Sequence, residues 1–338
     1  MTMLGRRAML ARALAAPLAA RLALGAPLIL GGLPATGQAA DTWPTRPIRL
    51  LVGFAPGGSS DIVARLLAQH MSAALGQPVV VENRPGAGGM IAAEAVAKAA
   101  PDGYTLVLLP SGHASQAAML AKLPFHPVDD FAWISTATVY PMFLAVADAS
   151  PIRSFEDLIA RAKAEPGKLS YSSVGIGTAH HLIGEWINAQ AGVELTHVPY
   201  KGGTQPLTDV LSGQIDLMIE TATSALPHLK SGRLRALAVT STDGKSLLPG
   251  VPAASEVVPN LQYESWLGIA APAKTPASLV AALNREVTRA LGKPDVVQRL
   301  AELGGGATPS SPDAFRDRVS DDIAKFRQIV ATRGIKPE

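Results

Sequence analysis

The chain has 338 residues, 48% hydrophobic and 17% charged, enough for two ordinary domains with a real core and too apolar for a disordered polymer. It has no cysteine, which excludes disulfides, thiol catalysis, Cys-based metal sites and a lipid-anchored N-terminal Cys. Without residues 1–40, which hold four arginines and no acid, 26 basic residues face 27 acidic ones, so the body shows no charge signature of nucleic-acid binding.

Residues 1–40 read as a signal peptide. Arg6 and Arg7 make the basic end, Leu22 to Leu33 the apolar stretch, and small residues lead to a cleavage site near Ala39 or Ala40. The uninterrupted apolar run is shorter than the roughly 20 residues of a membrane span. The arginine pair is compatible with a twin-arginine signal and with general export. Export is expected.

The mature chain opens with a strand-like run, Pro47 to Val52. A Gly-rich turn follows: Phe54, Ala55, Pro56, Gly57, Gly58, Ser59, Ser60 and Asp61. From Ile62 to Leu75 apolar residues recur at helical spacing. Gly57 and Gly58 let the backbone approach a bound group, and Ser59, Ser60 or Asp61 can cap the helix. The free N–H groups of such a helix start suit a carboxylate or phosphate. A plain turn with a helix cap fits these eight residues equally well.

Gln77 to Asn83 is a β-branched run, Arg84 to Ile91 a second Gly-rich turn, and Ile91 to Ala99 a helix stopped by Pro101. Tyr104 to Leu109 predicts a buried strand, and Pro110 to Ser115 a polar loop. This alternation points to parallel α/β units. Phe131 to Val146 reads as two strand pieces around Pro141, leading into a second domain. Ser154 and Asp157 have capping-box spacing and open a helix that ends near Glu165.

The first pattern then recurs. Lys168 to Tyr171 is a short strand, Ser172 to Thr178 a Gly-rich turn with hydroxyls, and His181 to Ala191 a helix. Thr196 to Gly203 is a strand and turn before the helix Gln205 to Leu211. The strand Ile215 to Ile219 enters Glu220 and Thr221, followed by a helix, Ala225 to Lys230, and a strand, Leu234 to Thr240. Val251 to Pro259 is an exposed loop by composition. Tyr263 to Ala270 predicts a strand returning to the first domain, before two helices, Pro276 to Leu291 and Pro312 to Thr332.

Several enzyme signatures are absent. There is no Gly-x-Ser-x-Gly elbow and no His-Glu-x-x-His. Gly175-Ile-Gly177 begins like a dinucleotide fingerprint, but His180 stands where the third glycine belongs. No two of the seven histidines are four residues apart. A triad of Ser111 or Ser173 with His181 could assemble in space, though nothing in the order singles it out. No metal or cofactor site is expected, and 5% aromatic residues argue against a base-stacking platform. Backbone donors and small hydroxyls on two halves suit holding a small anion more than transforming it.

Pro56-Gly-Gly-Ser-Ser-Asp61 with Ala64 and Arg65 resembles the first-loop motif of the Bug-type extracytoplasmic solute receptors, the substrate-binding proteins of the tripartite tricarboxylate transporter system. Five further segments resemble that family in the same order. They are Asn83 to Gly89, Pro101 to Leu106, Ser172 to Thr178 with His181 and Leu182, His197 to Gly202, and Gly213 to Leu217. The resemblance implies an α/β, two-lobed periplasmic-binding-protein fold of type II. Lobe 1 would be residues 41–142 plus 266–338 and lobe 2 residues 143–265, with hinge strands near 140–146 and 265–270.

It also implies a periplasmic receptor that captures a small carboxylate or amino-acid ligand and delivers it to the membrane subunits of such a transporter, without catalysis. A receptor feeding a sensor kinase and an enzyme on the same fold are the alternatives. The fold needs no partner to close its core, so a monomer is expected. By the family pattern, Phe54 to Asp61 supply one wall of the site. Ser172, Ser173, Gly175, Gly177, Thr178 and His181 supply the other. Ser111 and the turn Tyr200, Lys201 and Gly202 could reach the far end of the ligand or simply pack. Glu220 and Thr221 depart from an Asp-led family loop. Facing the cleft, Glu220 would favour an amine and repel a second carboxylate; turned away, it would be silent.

Overall fold

The computed structural model describes residues 43–241 and 246–332. The expected signal peptide at 1–40 lies outside the described residues.

In chain order the first elements are β1 (Ile48–Val52), α1 (Ser59–Leu75), β2 (Val79–Asn83), α2 (Met90–Ala97), β3 (Thr105–Pro110), α3 (Gly112–Met119) and β4 (Phe131–Ala147). Then come α4 (Phe155–Ala164), β5 (Ser170–Ser173), α5 (Ala179–Ala191), β6 (Thr196–Pro199), α6 (Gln205–Leu211), β7 (Leu217–Thr221), α7 (Ala222–Lys230) and β8 (Leu234–Val239). The last are β9 (Glu264–Pro272), α8 (Ala277–Leu291), α9 (Pro294–Glu302), β10 (Gly306–Ala307) and α10 (Pro312–Thr332).

The strands run in the order β2-β1-β3-β9-β4-β7-β5-β6, with β10 and β8 also on β4. At one end β1 pairs parallel with β2 and β3; at the other β5 pairs parallel with β6 and β7. The antiparallel strands β9 and β4 join the two units. Strands near the centre bury both faces, so they read as continuous apolar runs. Ile48, Leu50 and Val52 of β1 pack with Val63, Leu67 and Met71 of α1, while Leu51 points to the other face, with Ala92, Ala93 and Val96 of α2.

β4 is a single strand of 17 residues. Its ladder with β9 ends at Pro141 opposite Glu264. From Met142 and Phe143 onward its partners are β7 and β8. The two strand pieces expected around Pro141 are therefore one. Proline lacks the N–H that a ladder needs, and it stands at the changeover, where that loss costs least.

Three other expectations are corrected. Pro110 to Ser115 is not a loop: α3 begins at Gly112, with His113 stacked on Phe125, Ser115 bonded to Gly177 O and Gln116 bonded to Gly88 O. The segment Gly-His-Ala-Ser-Gln has no apolar periodicity, so its burial is a tertiary effect. α9 lies between the two expected C-terminal helices, with Pro294 in its first turn and Val296 and Leu300 on its buried face. The loop after Val251 is not exposed, since Ala253, Ala254 and Val258 are buried. No described helix is long and apolar enough to cross a membrane.

Candidate ligand-binding cleft

β1 carries the chain into the first Gly-rich turn. Gly53 lies flat on Gly89, where a Cβ would come within 2.5 Å of the Gly89 Cα. Asp61, on the first turn of α1, holds the turn in place. Its carboxylate accepts hydrogen bonds from the Gly57 N–H (3.0 Å), Arg65 Nε (3.0 Å) and Asn83 Nδ2 (2.9 Å). Burial alone would raise the Asp61 pKa, but the bonds from Arg65, Gly57 and Asn83 outweigh it and hold the carboxyl below its ordinary value.

With Asp61 so engaged, no side chain caps α1, and Gly58, Ser59 and Ser60 line a cleft of about 490 Å³. The start of α5 lines it too, through Thr178, Ala179 and His180, and it also lacks a side-chain cap. Gly112 at the start of α3 and Thr221 before α7 complete a ring of helix N-termini. Each carries unpaired N–H groups and the positive end of a helix dipole. No Lys or Arg is among the lining residues. Such a site attracts an anion through fixed dipoles rather than a side-chain cation.

Hydroxyls form the floor. Tyr263 OH and Ser265 Oγ each lie 2.8 Å from Ser111 Oγ. Tyr140 is hydrogen-bonded to both Ser265 and Ser59, and burial pushes its phenol well above its ordinary pKa, so it stays a neutral donor. The chain of hydroxyls runs from Tyr263 to Ser59 at the helix start. At the far wall Glu220 Oε1 accepts from Thr221 N (2.8 Å), Thr221 Oγ1 (3.0 Å) and His180 Nε2 (3.3 Å). Beyond Glu220 and Gly203 lies a second cavity of about 540 Å³, whose arginine, Arg299, is ion-paired to Glu302 at 3.1 Å.

The loops around the cleft touch one another. Ala55 N donates to Lys201 O (3.0 Å), and Ala55 bridges Gly202. Ser115 Oγ donates to Gly177 O (2.6 Å), and Gln116 Nε2 donates to Gly88 O (2.9 Å). Gly175, at φ +131°, sits where a Cβ would come within 3.0 Å of Gly88 Cα. A seam of loop contacts therefore joins the segments that flank the cleft.

Of the residues expected at the site, Phe54, Gly58, Ser59, Ser60, Thr178, Gly202, Glu220 and Thr221 line the cleft. Ala55 and Pro56 lie in the seam against Lys201 and Gly203. Gly57 borders the second cavity. Ser111 is buried and bonds Ser265 and Tyr263 rather than lining the cleft. Ser172 is buried within β5. Ser173 Oγ is 2.5 Å from His197 Nε2 and accepts from Gly175 N. Gly177 N donates to His181 Nδ1 (3.0 Å), and the His181 ring stacks on His197 with centroids 4.0 Å apart. Tyr200 OH donates to Asp209 Oδ2 (2.6 Å), and burial, with Asp209, pushes its pKa up to about 12. Lys201 has an exposed side chain and joins the seam through its carbonyl.

Sequence reasoning missed Pro110, Gly112, Tyr140, Val174, Ala179, His180, Gly203 and Ser265, which also line the cleft. A signal existed for Tyr140 and Ser265, since both fall in the expected hinge strands. None existed for His180 over its neighbour His181. Among the described residues no group of three or more His, Asp or Glu is placed to hold a metal.

Burial holds His181 and His197 down to about pKa 4, and His113 likewise, where it stacks on Phe125 under α3. The unfolded chain takes up these protons near pH 6.5, while the folded one resists until about pH 4. The contribution of these histidines to stability is therefore constant above pH 6.5 and falls as pH drops through that window. His113 alone should contribute about 1.4 kcal/mol per pH unit. Urea midpoints measured from pH 7 to 4 check this, and His113→Leu should flatten the slope.

A model of the "Tripartite tricarboxylate transporter family receptor" matches residues 63–335. Protein BugT of Bordetella pertussis is 36% identical over 300 residues, covering 88% of this chain and 92% of that protein. The structure of the periplasmic binding protein BugD is 32% identical, with a TM-score of 0.82, and covers 88% of this chain and 100% of its own. An R. palustris protein solved with adipate is 35% identical, with a TM-score of 0.83, and has the same coverage. The two-lobed α/β fold of periplasmic solute-binding proteins, expected from the motifs, is the fold of this chain.

Proposed function

The chain belongs to the tripartite tricarboxylate transporter receptor family, and on that premise we propose that it is an exported, periplasmic receptor for a small carboxylate, which it passes to the membrane subunits of such a transporter. One observation carries the reading: the uncapped starts of α1 and α5 line one cleft that holds no Lys or Arg. The free N–H groups of Ser59, Ser60, Ala179 and His180 grip the carboxylate, and the hydroxyls of Ser59 and Tyr140 orient it. The relative solved with adipate supports a carboxylate as the ligand class.

On this reading lobe 1 is residues 41–142 with 266–338 and lobe 2 is residues 143–265. They move about the crossover strands β4 and β9, near the partner change at Pro141. Ligand held between the helix starts favours the closed seam, and the transporter recognises that form. No chemistry is done on the ligand.

Thermal unfolding of the purified protein with a panel of mono-, di- and tricarboxylates and amino acids tests this. A carboxylate that binds only the folded state at 100 times its Kd should add about 2.7 kcal/mol of stability. Silence across the panel, on protein shown to carry no ligand through purification, would sink the proposal.

A further inference from the structure

We infer that the cleft selects a ligand bearing an ammonium group as well as its carboxylate, and that Glu220 and His180 read the ammonium; this rests on the carboxylate-receptor reading above. Glu220 is only 6% exposed. All three of its hydrogen bonds fall on Oε1, from Thr221 N, Thr221 Oγ1 and His180 Nε2. Oε2 has no partner among the described residues. A carboxylate offers about four acceptor sites and no donor, so Oε2 of Glu220 is available to a donor on the ligand.

His180 is 8% exposed and lines the same cleft. Its Nδ1 is buried and has no hydrogen-bond partner. With the proton of a neutral ring assigned to Nε2, which donates to Glu220, Nδ1 is an acceptor. One buried acceptor without a partner, His180 Nδ1, and one carboxylate oxygen open to the cleft, Glu220 Oε2, thus stand in the same wall. Buried acceptors without donors are costly, and an ammonium supplies three N–H donors and the opposite charge in one group.

A second carboxylate would meet the reverse. It would face the Glu220 charge with no Lys or Arg in the lining. The arginine of the adjoining cavity, Arg299, is committed to Glu302. A hydroxyl could donate one bond but would leave the charge of Glu220 unpaired. The chemistry therefore favours a zwitterionic amino acid over a dicarboxylate of the same length.

Calorimetric titration with matched sets tests the inference on the whole protein. One set is alanine, β-alanine, propionate and malonate; the other is γ-aminobutyrate, butyrate and succinate. At least one amino acid should bind at least ~30-fold more tightly than the simple acid and the diacid of its set, a difference of about 2 kcal/mol. Glu220→Gln, which keeps the size of the side chain, should cut that preference at least ~10-fold, and His180→Gln should reduce it in the same direction. A diacid that binds as tightly as the amino acid in wild type overturns the inference, as does a preference unchanged in folded Glu220→Gln. If Glu220→Gln does not fold, the wild-type ratio decides alone. Carboxylates that bind without preference for the amine remove this inference and leave the receptor reading standing; no binding of any carboxylate removes both.

Discussion

Replacing Gly58 by Phe should abolish ligand binding, a loss of at least ~100-fold or about 2.7 kcal/mol, while leaving the thermal midpoint within a few degrees of wild type. Gly58 is the N-cap of α1, with φ −82° and ψ 172°, an extended conformation that any residue adopts. The backbone therefore gives no reason for glycine here, and the substitution does not strain it. The reason is across the cleft. A Cβ on Gly58 would lie 3.3 Å from the backbone N of Gly203, and a larger side chain has only the cleft and the seam to enter. The introduced ring would hold the walls apart and cover the helix N–H groups proposed to grip the carboxylate. Titration with the best ligand of the carboxylate panel, alongside calorimetric unfolding, reads both effects. Binding at wild-type affinity in a folded Gly58→Phe protein would refute the closed two-wall site.

The largest stability effect is expected at Phe315 on α10. Its ring is fully buried and meets Trp133 and Trp266 edge to face, at centroid distances of 5.0 and 5.2 Å. Phe315→Ala should cost ~3–5 kcal/mol through lost burial and the cavity left behind. The ring also explains Gly268 on β9, one of the two crossover strands. A Cβ there would fall 2.2 Å from Phe315 Cζ. Gly268→Ala should therefore cost ~1–3 kcal/mol by overpacking. The two changes should not add. Once the ring is gone, the methyl introduced by Gly268→Ala enters the space it left, so the double variant should be more stable than the sum predicts by ~1 kcal/mol or more. Urea denaturation of the four proteins measures the coupling, and simple additivity would show that ring and glycine do not meet.

Much of the fold was legible in the chain because its signals are local. The apolar run of β1 and the helical spacing of Val63, Leu67 and Met71 report burial that neighbouring residues share. The Gly-rich turns before α1 and α5 announce where a backbone must come close to something. α3 was hidden because its buried residues are His, Ser and Gln, which carry no apolar period. Their partners lie in other segments: Phe125, Phe131 and Trp133 around His113, Gly177 at Ser115 and Gly88 at Gln116. α9 was hidden because a helix of nine residues shows only two buried positions.

What the sequence by itself determined is the plan: two α/β units, each opening a helix from a Gly-rich turn, joined by strands that cross between them. Local periodicity and turn chemistry suffice for that. Which atoms form the cleft was decided only by the tertiary structure. Asp61 shares a turn with Ser59 and Ser60, yet it is spent on Gly57, Arg65 and Asn83. His180 and His181 are neighbours, but a helix turns roughly 100° per residue. One ring therefore reaches Glu220, while the other lies on His197 beneath the loop. Glu220, silent or decisive as the chain alone had it, lines the cleft because β7 ends there. Direction in space is a property of packing between distant segments, and no local pattern encodes it.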